Sequence, residues 1–127
     1  MRLLLDTHVF IWCVAERNRL SPRLIEMIEQ ADDVFVSVAS FWEMAIKQSI
    51  GKLSLDMDLA SLAQAARDAG YDLLPIKVEH TVLLTTMPMH HRDPFDRMLI
   101  AQSLAEPLRL LTADNEIAKY GGNVVRV

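Results

Sequence analysis

The sequence predicts an α/β fold built on a parallel sheet. Short runs rich in Leu and Val alternate with longer capped, amphipathic segments along the chain. These runs are continuously apolar, as strands covered on both faces must be. The length of 127 residues suits one domain, here taken as 1–127, and is too short for two.

Taken in order, Leu3–Leu5 is a buried strand stopped by Asp6, and Val9 to Ala15 is a helix. Ser21-Pro22 is a helix start, an N-cap followed by proline at the first helical position, with the helix running through Arg23–Ala31. Val34–Val36 is the second strand. Ser37–Ser40 leads into a helix that reaches about Ile50, with Gly51 as its C-cap. Asp56 or Asp58 caps a helix carrying Leu59, Leu62, Ala63 and Ala66, and Gly70 ends it. Asp72–Ile76 is the third strand, Glu79–Thr86 a short helix and Met87–Arg92 a loop. Asp93-Pro94 opens a long helix to about Leu104, Leu108–Leu111 is the fourth strand, Asp114–Tyr120 a short helix ended by Gly121-Gly122, and Val124–Val127 the fifth strand.

Composition narrows the function. Apolar residues make up 51% and charged residues 24%, ample for a packed core and incompatible with wholesale disorder. No apolar run approaches the ~20 residues of a membrane span, and Asp6 breaks the only N-terminal apolar run, so no signal peptide is read and the chain is expected in the cytoplasm. The single cysteine, Cys13, excludes an internal disulfide and a Cys-rich zinc site. The net charge is 13 − 17 = −4, which argues against a purely electrostatic nucleic-acid binder. An enzyme acting on nucleic acid through bound cations remains open.

Sites in parallel α/β sheets lie at the carboxyl ends of the strands. Four acids belong there: Asp6 after strand one, Glu43 on the first turn of the helix after strand two, Asp96 on the first turn of the long helix, and Asp114 after strand four. Each also has a capping explanation. Asp6 and Asp114 can be N-caps. Ser40-Phe41-Trp42-Glu43 fits a capping box, and Asp93-Pro94-Phe95-Asp96 reads as an N-cap with a dipole-favoured acid. Together they say more, because crowded carboxylates repel and need a compensating cation. Hard oxygen ligands suit Mg²⁺ or Mn²⁺, and carboxylate clusters holding such ions serve phosphodiester cleavage.

The segments Leu3-Leu4-Leu5-Asp6-Thr7-His8, Ser37 to Glu43 with Ile46-Lys47 and Gly51-Lys52-Leu53, His91 to Ala101, and Leu111-Thr112-Ala113-Asp114 resemble the motifs of PIN-domain ribonucleases. Among these the resemblance is to the VapC toxins of type II toxin–antitoxin pairs, over nearly the whole chain in order and spacing. It implies a three-layer PIN-like sandwich with a central five-stranded parallel sheet. It also implies a Mg²⁺-dependent endoribonuclease (Mn²⁺ a substitute) that cuts RNA, is held in check by a small cognate antitoxin protein, and forms a homodimer. By position, Asp6 and Asp96 would be the principal metal ligands, with Glu43 and Asp114 completing the cluster directly or through water. Thr7, Ser40 and Thr112 would bond the carboxylates or the substrate phosphate. Asp93 ranks lower, since an N-cap explains it fully. Val9, Trp12, Phe41 and Met44 would offer apolar positions for the antitoxin.

Other residues admit two readings. Arg97 pairs with Asp93 four residues earlier, or orients an active-site acid or meets RNA phosphate. His90-His91 makes a poor chelate because neighbours on an extended loop point apart, and His8 is placed on a helix surface. Trp12, Phe41 and Trp42 could stack bases but are more simply core or interface. Lys47, Lys52 and Arg92 could offset the acids or be solvated, and Met87 and Met89 could fill core or form an adaptable surface. Receiver domains need an acid pair after strand one and an Asp after strand three; haloacid-dehalogenase-type phosphatases need Asp-x-Asp where this chain has Asp6-Thr7-His8. Glycine-rich nucleotide loops and a Gly-x-Ser-x-Gly elbow are absent. The remaining alternatives are a non-catalytic RNA- or protein-binding module on the same fold, or a housekeeping nuclease without an antitoxin.

Overall fold

In a computed structural model of the chain, residues 1–89, 93–121 and 123–127 are described. Expectations placed on His90, His91, Arg92 and Gly122 fall outside them. The strands are β1 (Arg2–Leu5), β2 (Asp33–Ser37), β3 (Asp72–Leu74), β4 (Arg109–Thr112) and β5 (Val124–Arg126). They form one all-parallel sheet in the order β3-β2-β1-β4-β5. The helices are α1 (Thr7–Ala15), α2 (Pro22–Gln30), α3 (Val38–Ser49), α4 (Leu59–Asp68), α5 (Val78–Leu84), α6 (Pro94–Ala105) and α7 (Asn115–Ala118). No described helix is long and apolar enough to cross a membrane.

The alternation of side chains along β1 builds the layers. Leu3 and Leu5 enter a core with Val9, Phe10, Leu24, Met44, Leu62 and Ala66, from the helices between β1 and β3. Leu4 points the other way, into a core with Leu99, Ile100, Leu108 and Ile117, from α6 to α7. All three leucines are fully buried, which explains the unbroken apolar run. Right-handed crossovers put connections that move outward in opposite directions on opposite faces. The chain steps from β1 to β2 and β3, then returns across β1 to β4, so a helical layer covers each face of the sheet.

Beyond shifts of a residue or two at element ends, four departures from the sequence reading matter here. β3 stops at Leu74 because Pro75 has no N–H to give the ladder. A 3-10 turn at Arg17–Arg19, which the sequence reading lacked, closes α1. The helix after β2 is capped by Ser37, whose hydroxyl accepts from Ala39 N–H (3.0 Å). Consequently Ser40 to Glu43 is no capping box, and Glu43 sits on the second turn of α3, not the first. Finally, Val9 and Met44 are core residues, 0% and 1% exposed. They are unavailable as docking positions; the large exposed apolar residues of α3 and its C-cap are Val38, Trp42, Ile46 and Ile50, spaced one turn apart.

Candidate active site

Asp6 stands where the sheet's connections diverge, between β1 and β4. Its backbone N–H continues the ladder to Leu111 O (3.0 Å). Its side chain is both a cap and something more. Oδ1 accepts from Val9 N–H (2.8 Å), holding the start of α1. Oδ2 accepts from the Thr112 hydroxyl at 2.5 Å, across 106 residues of sequence. That hydroxyl in turn accepts from Asp114 N–H (3.0 Å), so its one proton and one of its lone pairs are both used. Asp114 caps α7 through Glu116 N–H (2.7 Å). Burial pushes the Asp6 carboxyl above its ordinary pKa, because ionisation loses solvation. Thr112, Val9 N–H and the nearby His8 pull it partly back, and the negative charge of Asp114 raises it further.

One residue along, Thr7 points to α3. Its hydroxyl donates to Glu43 Oε1 (2.8 Å) and lies 2.9 Å from Ser40 Oγ, whose proton it can accept. Glu43 is 3% exposed, and its second oxygen, Oε2, accepts from the Lys47 ammonium at 2.9 Å, one helical turn on. Lys47 is raised above its ordinary pKa mainly by that bond, against some desolvation, with the charges of Asp93 and Asp96 also acting on it. The start of α6 therefore faces α3. Trp42 and Phe95 meet edge to face at 5.1 Å between centroids, fastening the two helices there. Asp93 is the N-cap of α6, its Oδ1 accepting from Phe95 N–H (2.9 Å) and Asp96 N–H (3.1 Å). Asp96 is on the first turn that this cap organises.

Six of the eight residues singled out in the sequence thus fall into two bonded groups, Asp6 with Thr112 and Asp114, and Thr7 with Ser40 and Glu43, while Asp96 acts through its charge on Lys47. Arg97 is placed differently. Its guanidinium donates to Pro88 O (3.0 Å), Leu84 O (3.1 Å) and Tyr120 OH (3.2 Å), tying the end of α5 and the following loop to α6 and Tyr120. Trp12 and Phe41 are half-buried against the first core, Phe41 5.5 Å from Phe10. Trp42 is exposed on its outer side, and His8 lies on the surface. The sequence reading missed two buried polar residues, His80 and Gln102. His80 Nδ1 accepts Lys77 N–H (3.0 Å) at the start of α5, and Gln102 Nε2 donates to Pro75 O (3.2 Å). Only burial marks them, and neither sits in a motif.

Among the described residues, no three acidic, histidine or cysteine side chains converge closely enough to chelate an ion between them. Glu43 is instead bonded to Thr7 and Lys47, and Asp6 to Thr112. The donor set still suits Mg²⁺ or Mn²⁺. Such ions keep several waters and bind through one or two carboxylates plus substrate phosphate, so they do not need a closed protein cage. Asp6, a buried carboxylate bonded among the described residues to one hydroxyl and one backbone N–H, is the group such an ion would relieve.

Comparison with known proteins agrees with this geometry. The PIN domain family model matches residues 3–123. Ribonuclease VapC22 of Mycobacterium tuberculosis is 31% identical over 123 residues, covering 93% of this chain and 91% of that protein. Among solved structures, VapBC2 of Rickettsia felis bound to a promoter DNA fragment has a TM-score of 0.68 at 12% identity, over 100% of this chain and 98% of that one. A toxin–antitoxin complex from Klebsiella pneumoniae has a TM-score of 0.65 at 13% identity, over 97% and 95%. The sheet order, the acids at its carboxyl rim and the extent of the match lead to one conclusion: the chain belongs to the PIN domain family.

Proposed function

We propose that this PIN domain is a divalent-metal-dependent endoribonuclease and the toxin half of a toxin–antitoxin pair. The carrying observation is the Asp6 carboxylate, buried at the divergence of β1 and β4, bonded to Thr112 and beside the negative charge of Asp114. A buried charge with no Lys or Arg partner among the described residues is costly as a structural element and useful as a cation ligand. The VapC22 relationship supports ribonuclease chemistry, and the toxin–antitoxin neighbours support a partner protein.

In this reading Asp6 and Asp96 hold Mg²⁺ or Mn²⁺, with Glu43 and Asp114 acting directly or through water. The ion would supply charge stabilisation at the scissile phosphate and a more acidic attacking water. Thr112 fixes the Asp6 rotamer through Oδ2, while Val9 N–H fixes it through Oδ1. Thr7 and Ser40 hold Glu43 from the side of α1. Arg97 contributes by tying the segments that carry α6 into place. The domain comprises 1–127, acts in the cytoplasm and pairs as a homodimer, for which the exposed stripe of Val38, Trp42, Ile46 and Ile50 along α3 and its C-cap is the apolar face we assign. A small antitoxin places a basic side chain, best an Arg that pairs bidentately, among the four acids.

The test is direct. The purified chain is expected to cut RNA internally in Mg²⁺ or Mn²⁺, to stop in EDTA, and to leave 5′-phosphate and 3′-hydroxyl ends. Cyclic-phosphate ends, or full activity in EDTA, would overturn the metal mechanism. Expression alone is expected to slow growth and co-expression with a small neighbouring protein to restore it. A chain harmless in cells yet active on RNA would point to a housekeeping nuclease.

A further inference from the structure

The rim holds its charges unevenly. On the α3 side both oxygens of buried Glu43 are taken, Oε1 by Thr7 and Oε2 by the Lys47 ammonium. The spacing of four residues on α3 brings Lys47 onto Glu43, and its place in the last turn of that helix also favours a positive charge. Across the rim, Asp6 is bonded by one hydroxyl and one backbone N–H, and Asp114 adds a second negative charge beside it. Neither of these two carboxylates has a Lys or Arg partner among the described residues.

We propose that Lys47 is a positioning residue that gives the Glu43 side of the rim one fixed positive charge, so that the site takes a single divalent cation, at Asp6, and not two. The inference rests on the nuclease reading above. An ion at Glu43 would have to displace an ammonium already tethered within bonding distance, and would otherwise be repelled by it. The half-exposed position of Lys47 leaves the ammonium able to meet a phosphate oxygen as well, while Glu43 stays compensated whether or not an ion is present. The chain's own side chain therefore does at Glu43 what a second ion does in two-metal sites.

The experiment counts Mn²⁺ bound to the full chain by isothermal titration calorimetry, with electron paramagnetic resonance of free Mn²⁺ as a check. Wild type and Lys47→Arg are expected to bind one ion per chain, and Lys47→Met two. Two ions in wild type, or one in a folded Lys47→Met, would overturn the proposal. Should Lys47→Met fail to fold, Glu43→Gln/Lys47→Met removes both members of the pair and is expected to bind one ion; two there would also overturn it. RNA cleavage measured on the same samples separates the readings. Cleavage with a wild-type count of two removes this proposal and leaves the nuclease standing, whereas no bound ion and no cleavage removes both.

Discussion

Thr112→Val takes one oxygen out of the floor of the rim at nearly constant shape. Thr112 is fully buried, so water cannot substitute for the lost hydroxyl without entering the core. Its bond to Asp6 is short and charge-assisted, and such bonds contribute about 1.5–3 kcal/mol. Asp114 N–H also loses its acceptor; at the more exposed end of the strand this adds about 0.5–1 kcal/mol. The expected loss is about 2–4 kcal/mol, slightly offset by the strand preference of valine. With a urea slope of about 2 kcal/mol per molar, the midpoint should fall by roughly 1–2 M. The pH dependence gives a second signature. Because burial raises the Asp6 pKa in the folded state, that state binds the proton more tightly than the unfolded chain. The associated stability is present below the unfolded pKa and is lost as pH rises through the folded one. Thr112 lowers the folded value, so removing it enlarges this loss. The gap between wild type and variant should be widest at neutral pH and narrow in acid. Urea unfolding in EDTA, followed by tryptophan fluorescence at neutral and acidic pH, measures both, with Thr112→Ser as the near-neutral control. A loss under about 1 kcal/mol at neutral pH, or a gap that grows in acid, would refute the reasoning.

Three further expectations follow from the same geometry. Asp6→Asn keeps a good cap for α1 but removes a buried charge whose pKa is raised. Stability in EDTA at neutral pH should rise, while RNA cleavage should fall at least about 100-fold, or roughly 2.7 kcal/mol; a variant that unfolds would show that the cap bond dominates. Arg97→Met breaks bonds to Pro88 O, Leu84 O and Tyr120 OH, and should cost about 2–3 kcal/mol in urea unfolding. The salt slope of RNA binding should stay unchanged, and a slope reduced by about one phosphate contact would show that Arg97 touches RNA instead. Trp42→Glu puts a charge on the exposed α3 stripe. If the proposed homodimer forms on that stripe, sedimentation velocity should show a wild-type dimer and a variant monomer; a dimer in both would move the contact elsewhere, and a wild-type monomer would remove the homodimer proposal.

The strands and α-helices were legible in order because the sequence states them twice, in apolar periodicity and in caps such as Ser21-Pro22 and Asp93-Pro94. Glu43 shows the limit. Ser37 and Ser40 are both acceptable N-caps, and only the length of β2 decides between them. Choosing the later serine turns an inward-facing acid of the second turn into half of a capping box. The acids themselves were readable as residues that follow strands, and the Glu43–Lys47 pair is written in its spacing of four. The grip of Thr112 on Asp6 was not readable as geometry, because nothing local relates residues 106 apart. Arg97 was ambiguous for the same reason. Its three acceptors come from α5, the following loop and Tyr120, which meet only once the sheet has formed.

The position of β1 has a consequence for the timing of synthesis. Of the five strands it leaves the ribosome first, yet it lies at the centre of the sheet, with β2 on one side and β4 on the other. A nascent chain can pair β1 with β2 early, and the first core can begin to close on Leu3 and Leu5. The other edge of β1 stays unpaired until Arg109–Thr112 has emerged, so the slow, long-range step of folding is also the step that brings Thr112 to Asp6. Truncated translation products would carry Asp6, Glu43 and Asp96 without the strand that completes their rim. A protein that attacks RNA would then be assembled as an enzyme only after β4 has been made and paired with β1.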